Sequence, residues 1–150
     1  MEPLAGQNNF GWSWLLLCLA LLVHCIDEVS TDFLAYFNAT VLTLYGHFSW
    51  FPRIDMNSRE LITFLVVLNA VALALIPFAF RNARFLRPIA YVFACIALAN
   101  GLAHIVFTIV GHTVPSVHFN KFAPGFFTAP LLIAAAIHLL LRLRRTSHAR

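Results

Sequence analysis

Gly11-Trp12-Ser13-Trp14-Leu15-Leu16-Leu17-Cys18-Leu19-Ala20-Leu21-Leu22-Val23-His24-Cys25-Ile26-Asp27-Glu28-Val29 decides the fold. Its first thirteen residues carry no charge, and its last six bring an imidazole and two carboxylates. About 20 apolar residues cross the hydrocarbon core of a bilayer as a helix. The run has no basic n-region, and His24, Asp27 and Glu28 stand where a cleavage site would need small residues, so it reads as a retained span, not a leader.

Three further stretches have the same character, giving expected spans at about 11–29, 60–80, 88–111 and 124–143. The chain of 150 residues has room for one domain, 1–150. Only 11% of its residues are charged and 61% are hydrophobic, whereas a soluble domain carries about 25% charge to keep a polar skin. The expected fold is therefore all-α, a polytopic four-helix transmembrane bundle. Pro88 and Pro124 suit first helical turns, and Pro77 and Pro130 predict kinks or frayed ends. Ala90, Ala94, Ala97 and Gly101 allow close helix contact.

Between the first two spans, residues 30–59 mix Phe33, Tyr36, Phe37, Tyr45, Phe48, Trp50 and Phe51 with Asp32, Asn38 and Arg53. That is too apolar for a linker and too polar to span, which suggests an interfacial or re-entrant segment. Arg81, Arg84 and Arg87 crowd the second loop, and Arg142, Arg144, Arg145 and Arg150 follow the fourth span. By the positive-inside rule both regions face the cytoplasm, and with four spans the N-terminus does too. The basic tail is a topology anchor touching anionic headgroups, not a nucleic-acid patch. Cys18, Cys25 and Cys95 lie in apolar runs without disulfide or zinc-ribbon spacing and read as small hydrophobes.

Ionisable groups inside a span are costly and point to function. Offsets of three and four set Asp27 and Glu28 on the helical face of His24. Asn100 and His104 repeat the i, i+4 spacing in the third span; Asn69 lies in the second with Glu60 at its start, and Thr128 opens the fourth. With a rise of about 1.5 Å per residue, His24, Asn69, His104 and Thr128 fall roughly 6–14 Å below the outer surface, a common depth that implies one shared pocket. The plainer alternatives are headgroup solvation for Asp27 and Glu28, interhelical hydrogen bonds for Asn69, Asn100 and Thr128, and a helix-dipole role for Glu60. His138 reads as packing. His47, His112, His118 and His148 carry no spacing signal.

His24-Cys25-Ile26-Asp27-Glu28 resembles the signature of the HXXEE-motif family of small bacterial integral membrane proteins, with Asp at the first of its two Glu positions. Asn100-Gly101-Leu102-Ala103-His104-Ile105 and Phe122-Ala123-Pro124-Gly125-Phe126-Phe127-Thr128-Ala129 are similar to two further blocks of that family. The resemblance implies a bacterial inner-membrane location and assigns His24, Glu28, Asn100 and His104 to the family pattern; the family is defined by its motif and not by an established activity. A weaker similarity, in site type, is to the emopamil-binding (EXPERA) family of sterol isomerases and ligand-binding membrane proteins, which also place a His and a Glu four apart in a membrane helix.

Three functions fit the polar set. An enzyme acting on a lipid-soluble substrate would use Glu28 as proton donor or acceptor, with His24 and His104 as partners and Asp27 beside them. A metal-assisted enzyme would use His24, Glu28 and His104 as a two-His-one-carboxylate set for zinc or non-haem iron, and a metal-free site fits the spacing equally. A non-catalytic protein would hold a lipid, a small hydrophobic ligand, a proton or a cation there. The expected partners are the bilayer and a hydrophobic molecule, without nucleic acid, and a homo-oligomer is compatible with the apolar surface.

Overall fold

The computed structural model describes residues 8–111 and 121–147; His112, His118, His148 and Arg150 lie outside them. The described residues are helical, in six elements: α1 (Asn8–Ser30), α2 (Phe33–His47), α3 (Ser58–Ala74), α4 (Ile76–Phe80), α5 (Leu86–Val110) and α6 (Ala129–Ser147). Among them, three helical stretches are long and apolar enough to cross a membrane: Phe10–Ser30, Ser58–Phe80 and Leu86–Val110.

α1 is the central helix. More than half of its apolar window, 56%, is buried inside the protein, against 22% for each of the other two stretches. Its inner stripe runs Phe10, Trp14, Leu17, Leu21, His24, Glu28, all buried and spaced by three or four residues. The outer face carries Trp12, Leu16, Leu19, Val23 and Ile26, all exposed. Apolar groups turned outward while polar ones turn inward is the pattern of a helix solvated by lipid.

α3 and α4 pair antiparallel with α1, since Asn69 meets Cys25 while Ala72 meets Trp14 and Cys18. The helix breaks at Leu75, two residues before Pro77, whose ring removes a donor from the i→i−4 ladder. Near that break the Ala72 carbonyl accepts the Trp14 indole N–H at 3.0 Å and the Cys18 thiol at 3.6 Å. A backbone oxygen in hydrocarbon has no water to turn to, so these donors matter. Trp14→Phe is expected to lower stability by about 1 kcal/mol, read as a lower thermal midpoint in detergent.

α5 carries the small-residue stripe expected from the sequence: Ala90, Ala94, Ala97 and Gly101 are all buried, as are Leu86 and His104 beyond its ends. α6 lies against it and against α1 through Leu132, Ala135, Ala136 and Leu139. A Cβ on Gly101 would stand 2.7 Å from Ile133 and 3.2 Å from the Ala129 carbonyl, so the helices close to backbone distance there. Arg87 and Arg144 line one cleft, which brings the arginines of the second loop and of the C-terminal helix to one end of the fold.

One expectation changes. The helix expected over 124–143 is α6, which begins at Ala129: residues 124–128 form turns, with Gly125 at φ +79°. Pro124 therefore lies in a turn, and Pro130 takes the first-turn position, where proline is tolerated. The arginines at 142, 144 and 145 leave α6 only 13 residues of apolar start, Ala129–Leu141, about 20 Å of helix. The 30–59 segment is about half helix. α2 follows a turn at Asp32, φ 56°, and the chain returns to it where Asn38 clamps Met56, donating to its carbonyl at 2.8 Å and accepting its N–H at 3.3 Å.

Candidate functional site

The inner stripes of α1 and α5 both end in ionisable residues, and the two ends meet. His24 (0% exposed), Glu28 (3%) and His104 (2%) are all buried. Glu28 Oε1 lies 3.3 Å from His24 Nε2 and 3.1 Å from His104 Nε2. The imidazoles stand edge to face with centroids 4.8 Å apart. The i, i+4 offset within α1 sets the first contact, and the packing of α5 supplies the second.

The turn before α6 closes the other side of His24. Asp27 Oδ2 accepts the backbone N–H of Thr128 at 3.2 Å and its hydroxyl at 2.9 Å. That hydroxyl has one proton, spent on the carboxylate, so it accepts from His24 Nδ1–H at 2.8 Å. The tautomer of neutral His24 follows: the proton is on Nδ1, and the Nε2 lone pair points into the cluster. Asn100 Nδ2 donates to that lone pair at 3.1 Å. Hydrogen bonds thus run from half-buried Asp27 through Thr128 to His24, and Glu28 pairs with His104, with 3.3 Å between His24 Nε2 and Glu28 Oε1.

Of the eight residues singled out from sequence, six are in this arrangement: His24, Glu28, His104, Asp27, Asn100 and Thr128. Two are elsewhere. Asn69 is buried, but its amide donates to Leu65 O at 2.9 Å and Cys25 Sγ at 3.4 Å, on the α3 side of α1, and its Oδ1 has no partner among the described residues. Glu60 is exposed and completes a capping box with Asn57, accepting that residue's N–H at 2.9 Å. Equal depth did not imply convergence, because Asn69 faces a different side of α1.

Sequence reasoning passed over Gly125, Thr31 and Phe33. Gly125 donates its N–H to Thr31 Oγ1 at 3.3 Å, and its Cα faces both imidazoles. Thr31 donates to the Asp27 carbonyl at 2.6 Å, which ties the end of α1 to the turn. Phe33, on α2, lies 5.7 Å from the His104 ring. The Pro124-Gly125 pair is a turn signal and was the available clue to the first of these.

His24, Glu28 and His104 each offer one ligand atom within 4.8 Å of the others, a set that could hold a metal ion. The same groups present a carboxylate between two bases in a buried setting, an arrangement suited to proton transfer. No family model matches the chain, and neither the curated proteins nor the solved structures include a match.

Proposed function

We propose that the protein is a membrane-embedded enzyme acting on a lipid-soluble substrate at His24, Glu28 and His104, by acid–base or metal-assisted chemistry. One observation carries the reading: a buried carboxylate oxygen held within 3.3 Å of two imidazole nitrogens. Burying three such groups is expensive, and packing alone does not require them. Glu28 is the reacting group, His24 and His104 flank it, and Asn100 and the Asp27–Thr128 pair orient His24.

In this reading α6 and its preceding turn complete a four-span bundle in a bacterial inner membrane. α2 lies at the interface with Phe48 and Trp50 at headgroup level. The arginine-rich end and both termini face the cytoplasm, which places the site toward the opposite leaflet. The resemblance of His24–Glu28 to the HXXEE-motif family supports that placement.

The test compares wild type with Glu28→Gln in nanodiscs supplied with bacterial total lipid extract, followed by mass spectrometry of the lipids. A species consumed and a product formed by wild type alone are the expected result. Identical lipid profiles for the two proteins would remove catalysis and leave a binding protein.

A further inference from the structure

We propose that His24 Nε2, His104 Nε2 and Glu28 Oε1 bind one divalent transition-metal ion, with Asp27 and Thr128 as its outer shell. The inference rests on the reading of this cluster as the functional centre and commits it to the metal-bound form.

Distance is the first argument. In a tetrahedral zinc site with bonds of about 2.0–2.1 Å, neighbouring ligand atoms stand about 3.3 Å apart. Glu28 Oε1 is 3.3 Å from one imidazole nitrogen and 3.1 Å from the other, and each of the three residues offers a ligand atom within 4.8 Å of the others. A pair at that outer limit closes to about 4 Å or less as the ion binds, since two bonds of about 2.0–2.1 Å span no more.

Proton counting is the second. The Thr128 hydroxyl fixes the proton of neutral His24 on Nδ1, so an Nε2 lone pair faces a carboxylate oxygen at 3.3 Å. Two acceptors at that distance repel unless a proton or a metal cation lies between them. His104 Nδ1 has no hydrogen-bond partner among the described residues, so in neutral His104 without an ion the proton belongs on Nε2, donated to Glu28 at 3.1 Å. His24 therefore presents a lone pair inward as it stands, and His104 does so once the ion displaces the proton on its Nε2.

The outer shell is the third. Metal-bound histidines commonly donate their far N–H to a carboxylate or an oxygen that fixes the ring. His24 does so through Thr128 to Asp27. Charge also balances: a divalent cation offsets the carboxylates of Glu28 and Asp27, leaving no net charge in a low-dielectric bundle. Asn100, which donates to His24 Nε2 at 3.1 Å, must release that lone pair when the ion enters. Its carboxamide oxygen can then accept from a water in the ion's open position.

The experiment uses the full chain in detergent, stripped with a chelator and titrated with Zn2+ by calorimetry, then with Co2+ as a visible-absorption probe. Wild type is expected to bind one equivalent and to give the intense spectrum of tetrahedral cobalt. His104→Gln should abolish that spectrum. Thr128→Val should weaken binding about 10–100-fold while Thr128→Ser restores it, a pattern that a loss of folding would not produce. His47→Ala, on the exposed end of α2, should bind as wild type does. Less than about a tenth of an equivalent on folded wild type, or equal binding by His104→Gln, overturns the proposal. The two readings fail separately. No ion bound, with lipid turnover still lost in Glu28→Gln, removes the metal and keeps the enzyme. An ion bound with no turnover by any variant keeps the metal and removes the enzyme.

Discussion

Gly125→Ala is expected to cost roughly 2–4 kcal/mol of stability and to disrupt the site at the same time. Two penalties combine. The backbone of Gly125 sits at φ +79°, a region where a Cβ costs about 1–2 kcal/mol. The new methyl would also lie 2.9 Å from His104 Cε1, 3.0 Å from His104 Nδ1 and 3.0 Å from His24 Cε1. These are ring atoms of buried side chains, and neither ring can swing aside without leaving Glu28. The strain is therefore relieved by the turn lifting, which breaks the hydrogen bonds of Thr128 to Asp27 and His24. Thermal unfolding in detergent reads the stability, and Zn2+ affinity or lipid turnover reads the site. Gly46→Ala is the control. A Cβ there meets nothing within 4 Å, and in helix α2 alanine should stabilise by about 0.5–1 kcal/mol. An unchanged midpoint for Gly125→Ala would mean that the turn does not hold the imidazoles.

The sequence carried the site further than it carried the fold around it. His24, Asp27 and Glu28 share a helical face by spacing alone, and Asn100 with His104 repeats the device, so the two stripes could be written down without coordinates. Hydropathy located the three long helical stretches for the same reason: in lipid the outer face must be apolar whatever the inner face does. The start of α6 was not legible that way. Residues 124–128 are apolar enough to pass as helix, and only the Pro124-Gly125 pair signals a turn. Asn69 shows the limit of depth as an argument. It lies level with the site along its helix, but rotation about the axis, set by the packing of Leu61, Leu65 and Ala72, turns it to Cys25. Glu60 illustrates the opposite case, a carboxylate whose three-residue offset from Asn57 was sufficient to read as a cap.

The second large effect separates a functional cluster from a structural one. Glu28→Ala removes the carboxylate that lies against both imidazoles and leaves two buried bases facing a void. Breaking a buried pair by deleting one partner costs about 3–5 kcal/mol. Replacing the whole set by apolar residues of similar volume is a different perturbation, because no polar group is left without a partner, and such replacements are often neutral or stabilising by about 1–4 kcal/mol. His24→Leu, Glu28→Leu and His104→Leu combined should therefore unfold at a higher temperature than Glu28→Ala, and as high as wild type if the leucines fit beneath the Gly125 turn. The Thr128 hydroxyl loses its His24 donor in that variant but keeps Asp27 as acceptor, so the turn remains attached. A triple variant as unstable as Glu28→Ala would mean that the cluster is part of the scaffold. A stable triple variant that neither binds an ion nor turns over lipid would mean the reverse: the chain keeps three costly side chains in its core for chemistry, and its fold would stand without them.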